Sequence, residues 1–194
     1  MGKILAGLCL SLAGSFSLAA STIQYTESGQ LSGYLGSTKL TNVNFIFTFL
    51  SNTANITGNG STSNPFQNVA TSNTISIGSS NGSFTSAVEV GDIGPYDLIG
   101  FSNTALNAFI VFQNAAAGSY NLASAMGPIT ASTAYYDGGS LGTTLGTLTI
   151  SGAQNLSFKA TTTAAPEPSL VGLIGFALLG MMVAGRRGWK RSAL

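Results

Sequence analysis

The sequence predicts an all-β protein, an antiparallel β-sandwich carried between two apolar terminal segments. Three observations lead there. The middle of the chain is rich in Ser, Thr, Asn and Gly, with Val, Ile, Phe and Tyr placed at intervals, the composition of short strands and many turns. Turn signals recur at Asn59-Gly60, Asn81-Gly82, Asp137-Gly138-Gly139 and Ser151-Gly152, spacing the strands about eight to twelve residues apart as in sandwiches. No helical stretch of useful length recurs between them, which disfavours a parallel α/β sheet.

The chain opens with MGKILAGLCLSLAGSFSLAA. Lys3, then an apolar stretch from Ile4, then small residues around Ala19 have the layout of a secretory signal peptide, expected over residues 1–20 and cleaved after Ala19 or Ala20. Cys9 is the only cysteine, and Leu8 before it is not the small residue that lipoprotein processing requires. Cleavage therefore leaves a chain with no disulfide and no thiol.

The body is expected over residues 21–160. Its strands are read from β-branched and aromatic clusters: Thr22–Tyr25, Leu31–Leu35, Val43–Leu50, Thr74–Ile77, Ser83–Val90, Asp97–Phe101, Ala105–Phe112, Tyr120–Ala123, Thr133–Tyr136, Leu145–Ile150 and Leu156–Thr161. Alternation is clearest in Asn44–Phe49, where Phe45, Phe47 and Phe49 face one side. Ala105–Ala116 holds no breaker and also fits a helix; strand is preferred for Phe109–Phe112. Ser51–Asn73 is polar and reads as a long loop or an irregular edge, and residues 161–165 read as a Thr/Ala linker.

Residues 166–194 form the last segment. Pro166-Glu167-Pro168 breaks the backbone, Leu170–Gly185 is uncharged and apolar, and Arg186, Arg187, Lys190 and Arg191 follow at once. The apolar run has no polar face to mark a solvent side, so a membrane helix through residues 170–185 is expected, though it is shorter than the ~20 residues that cross a bilayer comfortably. The four cations would keep the tail on the cytoplasmic side, and Trp189 suits the interface. With the N-terminus exported, the body lies outside the membrane.

The net charge of +1 is misleading, because most cations sit in the two ends. The body keeps Lys39 and Lys159 against Glu27, Glu89, Asp92, Asp97 and Asp137. It offers no basic face to phosphates, so no nucleic acid partner is expected.

The ordered trio of Pro166-Glu167-Pro168, apolar helix and C-terminal basic cluster resembles the PEP-CTERM sorting signal. The resemblance implies an exosortase-type processing enzyme as partner, recognition through Pro166, Glu167 and Pro168, orientation through Arg186, Arg187, Lys190 and Arg191, and an exopolysaccharide-producing Gram-negative host. This copy reads Arg-Arg-Gly-Trp-Lys-Arg where many members have an unbroken arginine run. A second stretch, Gly118-Ser119-Tyr120-Asn121-Leu122 with Met126–Thr130 and Leu145–Ile150, is similar to text that recurs in ectodomains of that family. It implies a β-rich body and brings no assigned active site.

For catalysis the inventory is thin. The chain has no histidine, so Ser-His-Asp chemistry and ordinary zinc sites are excluded, and no cofactor is expected. The tightest acidic group is Glu89, Asp92 and Asp97 in VEVGDIGPYDLIG. A carboxylate pair there could cleave a glycoside or ligate Ca2+; the plainer expectation is that Asp92 begins a Gly/Pro turn and Asp97 caps the next strand. Most tyrosines are expected in the core. Tyr135 and Tyr136 must point to opposite faces of a strand, which makes one of them the best candidate for a sugar contact.

The function expected from all this is an exported, non-enzymatic protein of the cell surface or the biofilm matrix, membrane-anchored before processing, with exopolysaccharide as the partner of its body. The alternatives are a glycan-binding secreted module and a simple single-pass anchored ectodomain.

Overall fold

The run Asn44–Phe49 shows how the body is built. In the computed structural model, which describes residues 21–103, 108–131, 133–136 and 139–163, Phe45, Phe47 and Phe49 are buried while Ile46 between them stays half exposed. A pleated backbone sends successive side chains to opposite faces, and here one face is interior and the other is solvent.

The strands in chain order are β1 (Thr22–Leu35), β2 (Thr38–Asn52), β3 (Ile56–Thr57), β4 (Phe66–Val69), β5 (Ser72–Ile77), β6 (Ser80–Gly82) and β7 (Glu89–Ile93). After them come β8 (Leu98–Asn103), β9 (Ala108–Gln113), β10 (Met126–Thr130), β11 (Thr133–Tyr136), β12 (Ser140–Thr143) and β13 (Gly146–Thr163). They form two antiparallel sheets. The first has the order β10-β13-β1-β2-β5-β6, with β12 also pairing β13, and the second runs β11-β9-β8-β7-β4-β3. The described body is all-β, as expected; its only helical pieces are short 3-10 turns, such as Gly94–Tyr96 and Ala115–Ser119.

Two long strands replace pairs of short ones. Thr22–Tyr25 and Leu31–Leu35 are the ends of one strand, because the polar middle stays paired on both sides, with Glu27 opposite Phe158 and Phe47. Leu145–Ile150 and Leu156–Thr161 likewise merge into β13, where Asn155 adopts a left-handed φ of 54° at the register shift against β1. A bulge absorbs the residues that read as a turn. Strand β13 extends to Thr163, which pairs with Thr22, so the expected linker at 161–165 begins inside a sheet. Of the two readings of Ser51–Asn73, the irregular edge is the one found: the stretch holds β3 and β4, and β3 is the edge of the second sheet. Tyr120–Ala123 is not a strand, and Ala108–Gln113 is strand rather than helix.

Aromatic rings from both sheets meet in the interior. Phe47 of β2 lies 5.2 Å from Phe101 of β8 with the rings nearly perpendicular, and 5.2 Å from Phe84. Burying each such ring contributes about 1.5–3 kcal/mol relative to leaving it in water. This shared core holds the second sheet against the first and frees its outer face for other use.

The expected signal peptide at 1–20, the expected linker residues 164–165, Pro166-Glu167-Pro168, the expected membrane span at 170–185 and the cluster Arg186, Arg187, Lys190 and Arg191 lie outside the described residues. Among the described residues no helix is long and apolar enough to cross a membrane.

Candidate functional site

The outer face of the second sheet carries a trough, and the register of four strand pairings explains it. Tyr135 pairs with Val111, Val111 with Gly100, Gly100 with Gly91, and Gly91 with Gln67. One row of side chains thus crosses five strands with two glycines at its centre. Where every other strand position raises a side chain, these two raise none. The resulting depression holds about 360 Å3, within the size range of small-molecule sites.

Its walls follow from the neighbouring rows. Ile93 and Leu98, paired at the end of the β7–β8 hairpin, form one apolar side. On the other side Glu89 faces Ser102, which in turn pairs with Phe109. Tyr135, 45% exposed, closes the β11 end.

The polar flank is connected. Gln67 donates from Nε2 to Glu89 Oε1 at 2.9 Å, and Ser102 donates from Oγ to the same oxygen at 3.1 Å. Burial pushes the Glu89 carboxyl above its ordinary 4.5, and these two hydrogen bonds oppose the rise. A carboxylate whose neighbours hand it hydrogens is fixed in place and can accept from a ligand hydroxyl.

No protein-family model matches the chain, and no curated protein or solved structure matches it either. The site therefore has to be judged on its own chemistry.

The acidic group singled out by sequence does not converge. Glu89 is odd in the strand and Asp92 even, so β7 sends them to opposite faces: Glu89 to the trough, Asp92 to the interior, where it is 0% exposed. Among the described residues lining the trough Glu89 is the one acid, so the described residues do not assemble across it the carboxylate pair that glycoside cleavage needs. Asp92 also does not start the turn; it lies within β7, and the turn begins at Gly94. Asp97 ends that turn in the left-handed region at φ 55°, a conformation Asp tolerates better than most residues.

Two buried acids stand out. Neither oxygen of Glu27 nor of Asp92 has a hydrogen-bond partner. Burial drives Glu27 well above its ordinary range. For Asp92 burial is also the main cause, with repulsion from Asp97 added, and its pKa rises to about 7. Beside them runs a satisfied network: Ser51 Oγ donates to Asn68 Oδ1 at 2.5 Å, Asn68 Nδ2 to the Tyr25 hydroxyl at 2.8 Å, and that hydroxyl to the Leu122 carbonyl at 2.7 Å. Burial pushes the Tyr25 phenol up to about 12, against the Asn68 hydrogen bond.

Contrary to expectation, most tyrosines are outside. Tyr25 and Tyr120 are buried, whereas Tyr34, Tyr96, Tyr135 and Tyr136 are all exposed. Tyr136 remains 42% exposed although it faces away from Tyr135, because β11 is an edge strand and covers little behind it. Sequence reasoning missed Gln67, Gly91, Gly100, Ser102 and Phe109. The signal was present in GDIGPYDLIG: folding that hairpin about Gly94–Asp97 pairs Ile93 with Leu98 and necessarily Gly91 with Gly100.

Proposed function

We propose that the chain is an exported, non-enzymatic protein of the cell surface or extracellular matrix, whose body binds a polysaccharide chain in the trough of its second sheet. The observation that carries the binding part is the glycine-floored row Tyr135–Val111–Gly100–Gly91–Gln67. A sugar ring has apolar faces and a rim of hydroxyls. The trough offers apolar walls and an exposed aromatic for the faces, and the Gln67–Glu89–Ser102 group for the rim. A flat, open floor crossing several strands suits an extended chain better than a compact cofactor.

The export part rests on the terminal segments: an N-terminal signal peptide, and the Pro166-Glu167-Pro168 motif followed by an apolar run and Arg186, Arg187, Lys190 and Arg191. On this proposal an exosortase-type enzyme acts at the motif while residues 170–185 hold the chain in the inner membrane of a Gram-negative cell. The body is then released to the cell surface or matrix.

Two measurements test the two parts separately. Affinity electrophoresis in gels containing the host's own exopolysaccharide should retard the protein saturably; unchanged mobility would remove the binding part. Mass spectrometry of the extracellular protein should find a chain lacking Trp189. Secreted protein that retains it would remove the sorting part and leave a plain membrane anchor.

A further inference from the structure

The charge of the trough is one-sided. Among the described residues that line it, Glu89 is joined by no lysine and no arginine. Strands β3, β4, β7, β8, β9 and β11 hold no cationic residue at all. Lys39 and Lys159, the two cations of the body, sit in β2 and β13 of the first sheet. The strands of the second sheet therefore have no side chain that could neutralise the Glu89 carboxylate or pair with an incoming anion.

The donors around Glu89 are committed as well. Ser102 gives its only hydroxyl hydrogen to Oε1 at 3.1 Å, and Gln67 gives one of its two amide hydrogens to the same oxygen at 2.9 Å. Burial raises the Glu89 pKa while the two donors hold it down, because a hydrogen bond given to a carboxylate favours its charged form. Both bonds end on Oε1, which leaves Oε2 to take a hydrogen from a ligand. This acceptor stands beside the apolar walls formed by Ile93, Leu98, Phe109 and Val111, where like charges repel more strongly than in water. A sugar hydroxyl meets its demand. A carboxylate or sulfate on the ring would bring a second negative charge and no hydrogen to give.

We propose that the trough is a site for uncharged polysaccharide and that Glu89 excludes acidic sugars from it. This rests on the trough being the polysaccharide site, and it adds which polysaccharides enter. Glu89 is then a specificity-determining residue. Tyr135 and the apolar walls hold the faces of any sugar ring, whereas the carboxylate selects by charge. A matrix that retains the protein through this trough must offer stretches of chain free of uronate and sulfate.

Calorimetric titration at about pH 8, well above the ordinary carboxyl range, tests it. The probes are two forms of the host's own exopolysaccharide on one backbone: one with its carboxyls reduced to primary alcohols, the other with its primary alcohols oxidised to uronate. The full-length chain is titrated in mild detergent, carrying Arg186→Gln, Arg187→Gln, Lys190→Gln and Arg191→Gln throughout so that the tail does not attract polyanions. It should bind the reduced form at least about tenfold more tightly than the oxidised form. Glu89→Gln, whose amide oxygen can still accept from Gln67 and Ser102, should bring that ratio within about threefold. Asp97→Asn removes a charge outside the trough, at a left-handed turn position that Asn tolerates, and should leave the ratio as it was. Raising NaCl from about 0.05 to about 1 M should narrow the ratio in the chain that keeps Glu89, by screening the repulsion. Equal affinity for the two forms overturns the exclusion while leaving the trough a polysaccharide site. A ratio indifferent to salt also overturns it. A preference that survives Glu89→Gln in full, or that Asp97→Asn relieves equally, overturns the role of Glu89. Binding of neither form removes the polysaccharide reading and this inference with it.

Discussion

Gly91 and Gly100 face each other across the β7–β8 hairpin, and together they form the floor of the trough. The two are not equivalent. A Cβ at Gly91 would meet nothing nearer than the Phe66 carbonyl at 3.7 Å, an ordinary contact, while one at Gly100 would run into the Ile110 carbonyl. Gly91→Val should therefore fill the trough and abolish polysaccharide retardation. Its Tm should be unchanged or higher, because a β-branched residue replaces glycine within a strand. Gly100→Ala should lower Tm. Retained binding in a folded Gly91→Val chain would place the ligand elsewhere.

Tyr135 and Tyr136 give a paired comparison. Both are exposed to similar degrees, at 45% and 42%, but Tyr135 lines the trough and Tyr136 points the other way. Tyr135→Ala should weaken polysaccharide binding by about 1–2 kcal/mol, roughly five- to thirty-fold in Kd. Tyr136→Ala should leave it within twofold. Calorimetric titration of both variants checks the difference, and equal losses would assign neither tyrosine a specific contact.

Much of this architecture is legible in the sequence, and what is not has physical causes. Alternation in Asn44–Phe49 is enough to orient β2, and Gly/Asn/Asp punctuation is enough to expect many short antiparallel strands. Thr26–Gln30 and Ser151–Asn155 defeat the same logic, because polar residues with a glycine look like turns in isolation. Thr26–Gln30 is held by long neighbours on both sides and Ser151–Asn155 by the long strand β1 on one, and a bulge at Asn155 takes up the extra residue. The trough is a product of register across five strands, four of whose pairings must be known before two glycines, a tyrosine and a glutamine line up. Glu27 sits at an inward position of the Ile23–Tyr25–Glu27 alternation, yet composition alone counts it as a surface acid.

Phe47 should be among the residues most costly to truncate. It is 0% exposed and touches rings of both sheets, with Phe45 at 4.5 Å, Phe84 at 5.2 Å and Phe101 at 5.2 Å between centroids. Phe47→Ala removes those contacts and leaves a void, an expected loss of about 3–5 kcal/mol. Ile46→Ala, one residue away on the half-exposed face, should cost under about 1 kcal/mol. Urea unfolding at fixed pH measures both, and comparable losses would mean that β2 does not present Phe47 to the interior.

Glu27 sets a pH dependence whose sign follows from its burial. The side chain is 1% exposed and neither oxygen has a partner. Its cross-strand neighbours are Phe158 and Phe47, and the titratable side chain two residues before it on the same face is Tyr25. That hydroxyl is already engaged with Asn68 and Leu122. Desolvation alone raises the Glu27 pKa well above the ordinary 4.5. The folded chain therefore keeps a proton that the unfolded chain releases above that value. Stability linked to this group is full below the unfolded pKa and falls as pH rises toward the folded one, by up to about 1.4 kcal/mol per pH unit. Glu27→Gln cannot ionise, so it should match wild type near about pH 4 and exceed it increasingly toward about pH 7. Asp92, raised to about 7, adds a slope of the same sign, lost as pH climbs from its ordinary 3.8, and that slope persists in the Gln variant. Urea midpoints of both proteins across this range decide the matter: a wild type that gains stability relative to Glu27→Gln on going from acid to neutral pH would mean that Glu27 ionises inside the fold with a partner.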